Sequence, residues 1–126
     1  VYDRAQLIEL EARREDIAAH LGEAAYADEL LIVWDQVRTS GPFTFRVLDE
    51  ISTYIKHAGA LDIPWQESLD EQLMQKVLPK LKGADLAVGS ALKDLVAWSQ
   101  DRYPLTHARV LLMQQRLRDH GFTSYH

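Results

Sequence analysis

The sequence predicts an all-α fold, a compact bundle of about six helices that forms a single domain over residues 1–126. Two observations favour this class. Apolar residues recur at intervals of three and four along most of the chain, the spacing that gives an amphipathic helix one buried face. The chain also has only six glycines and four prolines, fewer than the many turns of a β-sandwich or barrel require.

Composition excludes several classes of function. Apolar residues make up 47% of the chain, which indicates a folded protein and not a disordered one. The net charge of −5 provides no basic field, so we expect no direct binding of nucleic acid by this domain. There is no cysteine for a disulfide or a thiolate metal site, and no apolar run long enough to cross a bilayer. We therefore expect a cytoplasmic protein with no membrane partner.

Residues 1–40 predict a pair of helices. The first covers residues 3–21 and ends at Gly22; the second covers residues 23–38, with Glu23 in its first turn. Thr39, Ser40, Gly41 and Pro42 then predict a loop. The positions expected to face the core are Leu7, Leu10, Ile17 and Leu21 in the first helix, and Ala27, Leu30, Leu31, Trp34 and Val37 in the second.

The third helix is predicted over residues 44–58, with Gly59 as its C-cap. Its inward positions are Val47, Leu48, Ile51, Tyr54, Ile55 and Ala58. Its outward positions are Arg46, Asp49, Glu50, Thr53 and Lys56. Residues 60–66 form a connector, in which Trp65 is expected to cover the edge of the core.

The most distinctive stretch is LDEQLMQKVLPKLKG, residues 69–83, which predicts the fourth helix. Its apolar stripe consists of Leu69, Leu73 and Val77, flanked by Met74, Leu78 and Leu81. The opposite face carries Asp70, Glu71, Gln72, Gln75, Lys76 and Lys80, which are expected to be solvated. Pro79 is expected to bend or tighten the last turn, and Gly83 to close it.

The last two helices are predicted over residues 86–100 and 106–120. Thr106 is expected to cap the sixth helix, Gly121 to end it, and residues 122–126 to form a short tail. The expected core positions are Val88, Ala91, Leu92, Leu95 and Val96 in the fifth helix, and Val110, Leu111, Met113 and Leu117 in the sixth.

Three phrases in residues 43–125 resemble the lid region of McrB-like AAA+ ATPases, the motor subunits of methylcytosine-specific restriction systems. FTFRVLDEI, residues 43–51, is similar to the family's Phe-x-Phe/Tyr-Arg-x-x-x-Glu-Ile phrase, which opens a lid helix. Residues 69–83 resemble a helix that ends in Leu-Pro-Lys-Leu/Ile-x-Gly. Residues 103–125 resemble an ending in Gly-Phe-x-Ser-aromatic after a Ser-x-x-Lys helix, with Thr106 and Arg109 in place of Ser and Lys. Residues 1–40 match more loosely.

The resemblance implies an AAA+ lid-like subdomain that is not catalytic alone. The chain has no Gly-x-x-x-x-Gly-Lys-Ser/Thr loop and no apolar strand ending in acidic residues, so it would hold no cofactor itself. ATP or GTP with Mg²⁺ would bind in the full-length motor. The implied partners are the AAA+ core, the neighbouring subunits of a ring and a nuclease subunit. Arg46 corresponds to the sensor-2 arginine, and Arg109 is a candidate for a contact with phosphate or with a neighbouring subunit.

The residues also allow plainer interpretations. Arg46 lies three and four positions before Asp49 and Glu50, so it is also expected to pair along the helix surface. Arg109, with Arg116 and Arg118, also fits an ordinary solvated face.

None of the five histidines has the spacing of a metal site, and no metal ligand is predicted. The alternative functions are a small helical protein-interaction module without nucleotide chemistry and a helix-turn-helix nucleic-acid binder; the acidic charge disfavours the second.

Overall fold

A computed structural model describes residues 14–125, in which the regular secondary structure is helical. The all-α prediction is confirmed for this range, and the predictions for residues 3–13, Leu7 and Leu10 among them, lie outside the described residues. The elements are α1 (residues 14–21), α2 (Ala27–Val37), α3 (Phe45–Gly59), α4 (Trp65–Gln72), a π turn (Leu73–Val77), a 3-10 turn (Leu78–Lys80), α5 (Leu86–Ser99) and α6 (Pro104–His120). No helix among the described residues is long and apolar enough to cross a membrane.

Helices α1 and α2 bury the predicted face. Ile17, Leu30 and Trp34 are almost completely buried, as expected. The second helix begins four residues later than predicted, at Ala27, because residues 22–26 form turns and Gly22 adopts a φ of +58°. On α2, Glu29 accepts a hydrogen bond of 2.9 Å from the Trp98 indole and forms an ion pair with Arg102, which joins α2 to the end of α5.

Helix α3 follows the predicted pattern except at two positions. Its expected inward residues are buried apart from Tyr54, which is 38% exposed and donates a hydrogen bond to Glu71. The prediction for Tyr54 is therefore wrong, because the phenol reaches a polar partner at the edge of the core. Gly59 is the last helical residue and not a left-handed C-cap; the left-handed conformation falls on Asp62, at φ 64°.

The central segment buries its apolar stripe, but it is not one regular helix. Leu69, Leu73, Val77, Leu78 and Leu81 are buried as predicted. The helix starts earlier, at Trp65, which packs against the core, and it changes geometry at Leu73.

Two backbone features explain the irregular end of this segment. The Leu78 N–H bonds to the Leu73 carbonyl five residues back, which is the hydrogen bond of a π-helix. Pro79 has no N–H for the carbonyl of Gln75, so the α-helical ladder cannot continue and the last turn tightens to a 3-10 turn. The predicted tightening is confirmed, but the helix ends at Lys80, well before Gly83, because Leu81 is extended.

Asp70 is predicted to lie on the solvated face, but this prediction is wrong, because the residue is only 4% exposed. Its carboxylate accepts hydrogen bonds from the backbone N–H groups of Leu105 and Thr106, at 2.9 and 2.8 Å. The Thr106 hydroxyl donates to the Asp70 carbonyl at 3.2 Å. Helix α6 begins at Pro104, so its free N–H groups are capped by α4 and not by Thr106 as predicted. Gln72 is also buried, contrary to prediction.

The C-terminal part packs α6 on α5 and returns the tail to the central segment. Val110 and Met113 are buried as expected, but Leu111 is 42% exposed, so its assignment to the core is wrong. Gly121 ends α6 in the left-handed conformation, at φ 78°. Two backbone hydrogen bonds of 2.9 Å then join Gly83 and Thr123, and the Thr123 hydroxyl donates to the Met113 carbonyl at 2.7 Å.

We expect Leu73→Ala to lower the free energy of unfolding by about 2–5 kcal/mol, the usual cost of deleting a buried leucine. Leu73 is 1% exposed, whereas Leu86 is 92% exposed, so Leu86→Ala is the matched control and should change stability by less than about 0.5 kcal/mol. Urea denaturation measures both. Equal effects of the two substitutions would contradict the assigned core.

We expect Asp70→Ala to destabilise the fold by about 1–3 kcal/mol, because two N–H groups at the start of α6 lose their acceptor. Asp70→Asn should cost less, since its amide oxygen still accepts. Asp94→Ala, at an exposed position on α5, is the control. Chemical denaturation of the three variants tests the prediction, which fails if Asp70→Ala is as stable as Asp94→Ala.

Candidate functional site

A groove of about 550 Å³ lies between α3 and the segment formed by α4 and the π turn. Both of its walls carry polar side chains. The α3 wall consists of Arg46, Asp49, Glu50, Thr53, Tyr54 and His57. The opposite wall consists of Gln72, Gln75 and Lys76.

Arg46 lies at the N-terminal end of this groove, in the first turn of α3. Thr44 is the N-cap and has an extended backbone, and the buried Phe43, Val47 and Leu48 fix the chain on either side. The Arg46 side chain is nonetheless 86% exposed. The first turn of a helix has backbone N–H groups without intrahelical acceptors and a positive dipole end. The structure therefore places an exposed guanidinium beside a region of positive potential.

Glu50 lies between two cations. Its Oε1 is 3.9 Å from the Nε of Arg46, and its Oε2 is 3.1 Å from the Nζ of Lys76. The pairing of Arg46 with Glu50 predicted from their spacing is therefore present, but at 3.9 Å the ion pair is a long one. Asp49, the other predicted partner, instead contacts His20 of α1, with 2.6 Å between Oδ1 and Nε2.

Tyr54 and Glu71 join the two walls near the groove. The Tyr54 hydroxyl donates to a carboxylate oxygen of Glu71. This hydrogen bond, with a smaller effect of burial and of the carboxylate charge, raises the pKa of Tyr54 above its ordinary value. The contact links α3 to α4 and keeps the phenol in its hydroxyl form.

Arg109 does not line the groove. Its Nη1 donates to the Tyr125 carbonyl at 3.1 Å, and its guanidinium lies 4.6 Å from the centre of the Tyr125 ring. Arg116 donates to the carbonyls of Ser124 and Tyr125, at 3.1 and 3.3 Å. Two members of the predicted basic cluster thus hold the tail against α6, and Arg118 is exposed.

The histidines make separate contacts. His20 contacts Asp49, and the Nδ1 of His107 is 3.1 Å from the Ser99 hydroxyl. Within residues 14–125, no three His, Asp or Glu side chains come together as a metal-binding group.

Lys76 and Tyr54 both line the groove, which helical periodicity does not predict. Lys76 is expected on the solvated face, and its side chain is 40% exposed; Tyr54 is expected in the core but is 38% exposed. Lys76 lies in the π turn, three positions after Leu73, and its amine reaches Glu50 of α3, a contact between residues far apart in sequence that helical periodicity does not mark. Only Pro79, two positions after the π turn, signals an irregular end to this helix.

A family model described as Domain of unknown function (DUF8727) matches residues 28–122. The match covers most of the chain, and the chain belongs to this family. It includes both walls of the groove. No curated protein and no solved structure matches the chain.

We expect Arg46→Ala to change the free energy of unfolding by less than about 0.5 kcal/mol, because an exposed ion pair contributes little to stability. Arg116→Ala is the comparison, since it removes two hydrogen bonds to the tail and should cost more. Thermal and urea unfolding measure both variants. A large loss of stability in Arg46→Ala would assign this residue to the packing of the domain.

Proposed function

We propose that this chain is the helical lid of an McrB-like AAA+ NTPase, in which Arg46 senses the nucleotide. The resemblance of residues 43–51, 69–83 and 103–125 to McrB-like lid sequences supports the proposed class of protein. The observation that carries the functional part is the exposure of Arg46, whose side chain is 86% accessible at the start of α3. A sensor must be free to meet a phosphate that the rest of the motor binds.

The chemistry of Arg46 suits this role. A guanidinium donates parallel hydrogen bonds to phosphate oxygens and keeps its charge at all physiological pH values. At the first turn of α3 the helix dipole adds positive potential. When the lid closes, the guanidinium would meet the charge that develops on the transferred phosphoryl group.

The remaining parts of the site belong to partners. Arg46 is the more exposed cation of the groove and would meet the nucleotide phosphate, whereas Lys76 pairs with Glu50. The AAA+ core would hold ATP or GTP with its Mg²⁺, and lid closure would complete the site. Neighbouring ring subunits and a nuclease subunit complete the proposed cytoplasmic assembly.

A protein-interaction module without nucleotide chemistry is the second candidate. The observation that favours it is the apolar outer face of α6, where Leu105 and Leu112 lie two helical turns apart and are 44% and 39% exposed. Leu86 and Phe122 are also exposed. In a lid, such a face would contact the AAA+ core or the next subunit. The two candidates therefore differ in the response of Arg46 to nucleotide.

Titration of the chain with ATP and GTP in the presence of Mg²⁺ tests the proposal. In NMR spectra we expect the side-chain N–H signal of Arg46 to shift more than that of Arg118, an exposed arginine in the last turn of α6. Arg46→Gln should abolish the accompanying shifts of the α3 backbone amides, and Arg118→Gln, the matched control, should leave them. The chain alone should release no phosphate.

Equal responses of Arg46 and Arg118 would contradict the proposal, because they would show only general attraction between a cation and an anion. Shifts confined to the apolar face of α6 on addition of a protein partner, with none at Arg46 on addition of nucleotide, would favour the interaction module.

A further inference from the structure

Glu50 presents a problem for any role of Arg46 in phosphate binding. It lies one helical turn after Arg46, the separation at which opposite charges on a helix attract. A carboxylate so placed competes with phosphate for the same guanidinium. The distances show how this competition is reduced: Glu50 lies 3.1 Å from Lys76 but 3.9 Å from Arg46.

The asymmetry of these distances identifies the main partner of Glu50. A separation of 3.1 Å between Nζ and Oε2 allows a charge-assisted hydrogen bond, whereas 3.9 Å between Nε and Oε1 is beyond hydrogen-bonding range. The exposures agree, since the side chains of Lys76 and Glu50 are 40% and 41% exposed and that of Arg46 is 86% exposed. The Lys76–Glu50 pair is therefore partly buried, whereas the Arg46 side chain is mostly exposed to solvent.

The core fixes the backbone at Lys76. Lys76 belongs to the π turn, between the buried residues Leu73 and Val77, so the core holds the chain on both sides of it. Pro79 prevents the turn from continuing as a regular α-helix. From this backbone position the Lys76 side chain, which is 40% exposed, reaches Glu50.

We infer that Lys76 is a positioning residue that holds Glu50 and thereby keeps the Arg46 guanidinium available to phosphate. This inference rests on the proposed function, in which Arg46 meets a nucleotide phosphate. Because Lys76 neutralises Glu50, Arg46 can leave its long contact at little cost. The contact with Glu50 also involves Nε, so the two Nη groups of the fork stay available to phosphate oxygens.

A double-mutant cycle on the chain tests the inference with inorganic tripolyphosphate as the probe. The proteins are the natural chain, Lys76→Gln, Glu50→Gln and the double variant. Two quantities are measured by NMR: the exchange of the Arg46 Nε–H with water in the absence of ligand, and the dissociation constant reported by that signal. Lys93→Gln, at an exposed position on α5, is the control for loss of one positive charge.

In Lys76→Gln we expect slower exchange of the Arg46 Nε–H and a dissociation constant raised by about two- to fivefold, the range of a surface ion pair. Adding Glu50→Gln to this variant should restore most of the affinity, because the competing carboxylate is then absent. Lys93→Gln should change neither quantity. All of the substitutions are at the surface, and thermal unfolding verifies that each variant is folded.

Two results would overturn the inference. Unchanged Nε–H exchange in Lys76→Gln would show that Lys76 does not control the pairing of Glu50. Weaker binding that Glu50→Gln fails to restore would show that Lys76 contacts phosphate itself. If instead the exchange rates change as expected but tripolyphosphate shifts Arg46 in none of the proteins, the positioning by Lys76 is supported and the proposed phosphate-sensing function fails.

Discussion

The contact between the Asp70 carboxylate and the first turn of α6 joins the central segment to the last helix. Asp70 lies on α4, beside the leucines that form the centre of the core, and it accepts from the N–H groups of Leu105 and Thr106 in the first turn of α6, far along the chain. Helix α6 then packs on α5, and its tail returns to Gly83, next to the end of the central segment. The central segment is thereby held by α6, and it also packs against α3, with the groove between them.

The buried faces were predictable from the sequence, whereas the polar contacts were not. Leu69, Leu73 and Val77 repeat every four residues, and a repeat of this kind places side chains on one face whether the turn is α or slightly wider. Asp70 and Gln72 carry no such signal, because a buried polar group is explained by a partner that lies far away in sequence. Tyr54 and Leu111 show a related limit, since periodicity does not mark where an apolar stripe meets solvent.

The candidate site divides in the same way. The exposure of Arg46 follows from its outward position in a regular amphipathic helix, and the structure has it exposed as expected. Lys76 lies in the π turn, between the buried Leu73 and Val77, and three positions after Leu73 a helical period places it on the flank of the buried stripe. Its contact with Glu50 could not be predicted from the period, because Glu50 lies on another helix. In the structure this contact gives Glu50 a second cation and leaves Arg46 the more accessible of the two.

We propose that Arg46 acts on a nucleotide held by an AAA+ core. The most direct test is the turnover number of the intact motor carrying Arg46→Ala, measured beside Arg118→Ala as the surface control. Loss of a charge that meets the transition state should lower hydrolysis by about tenfold or more, with the fold intact. Turnover per folded molecule that is unchanged by Arg46→Ala would contradict the claim.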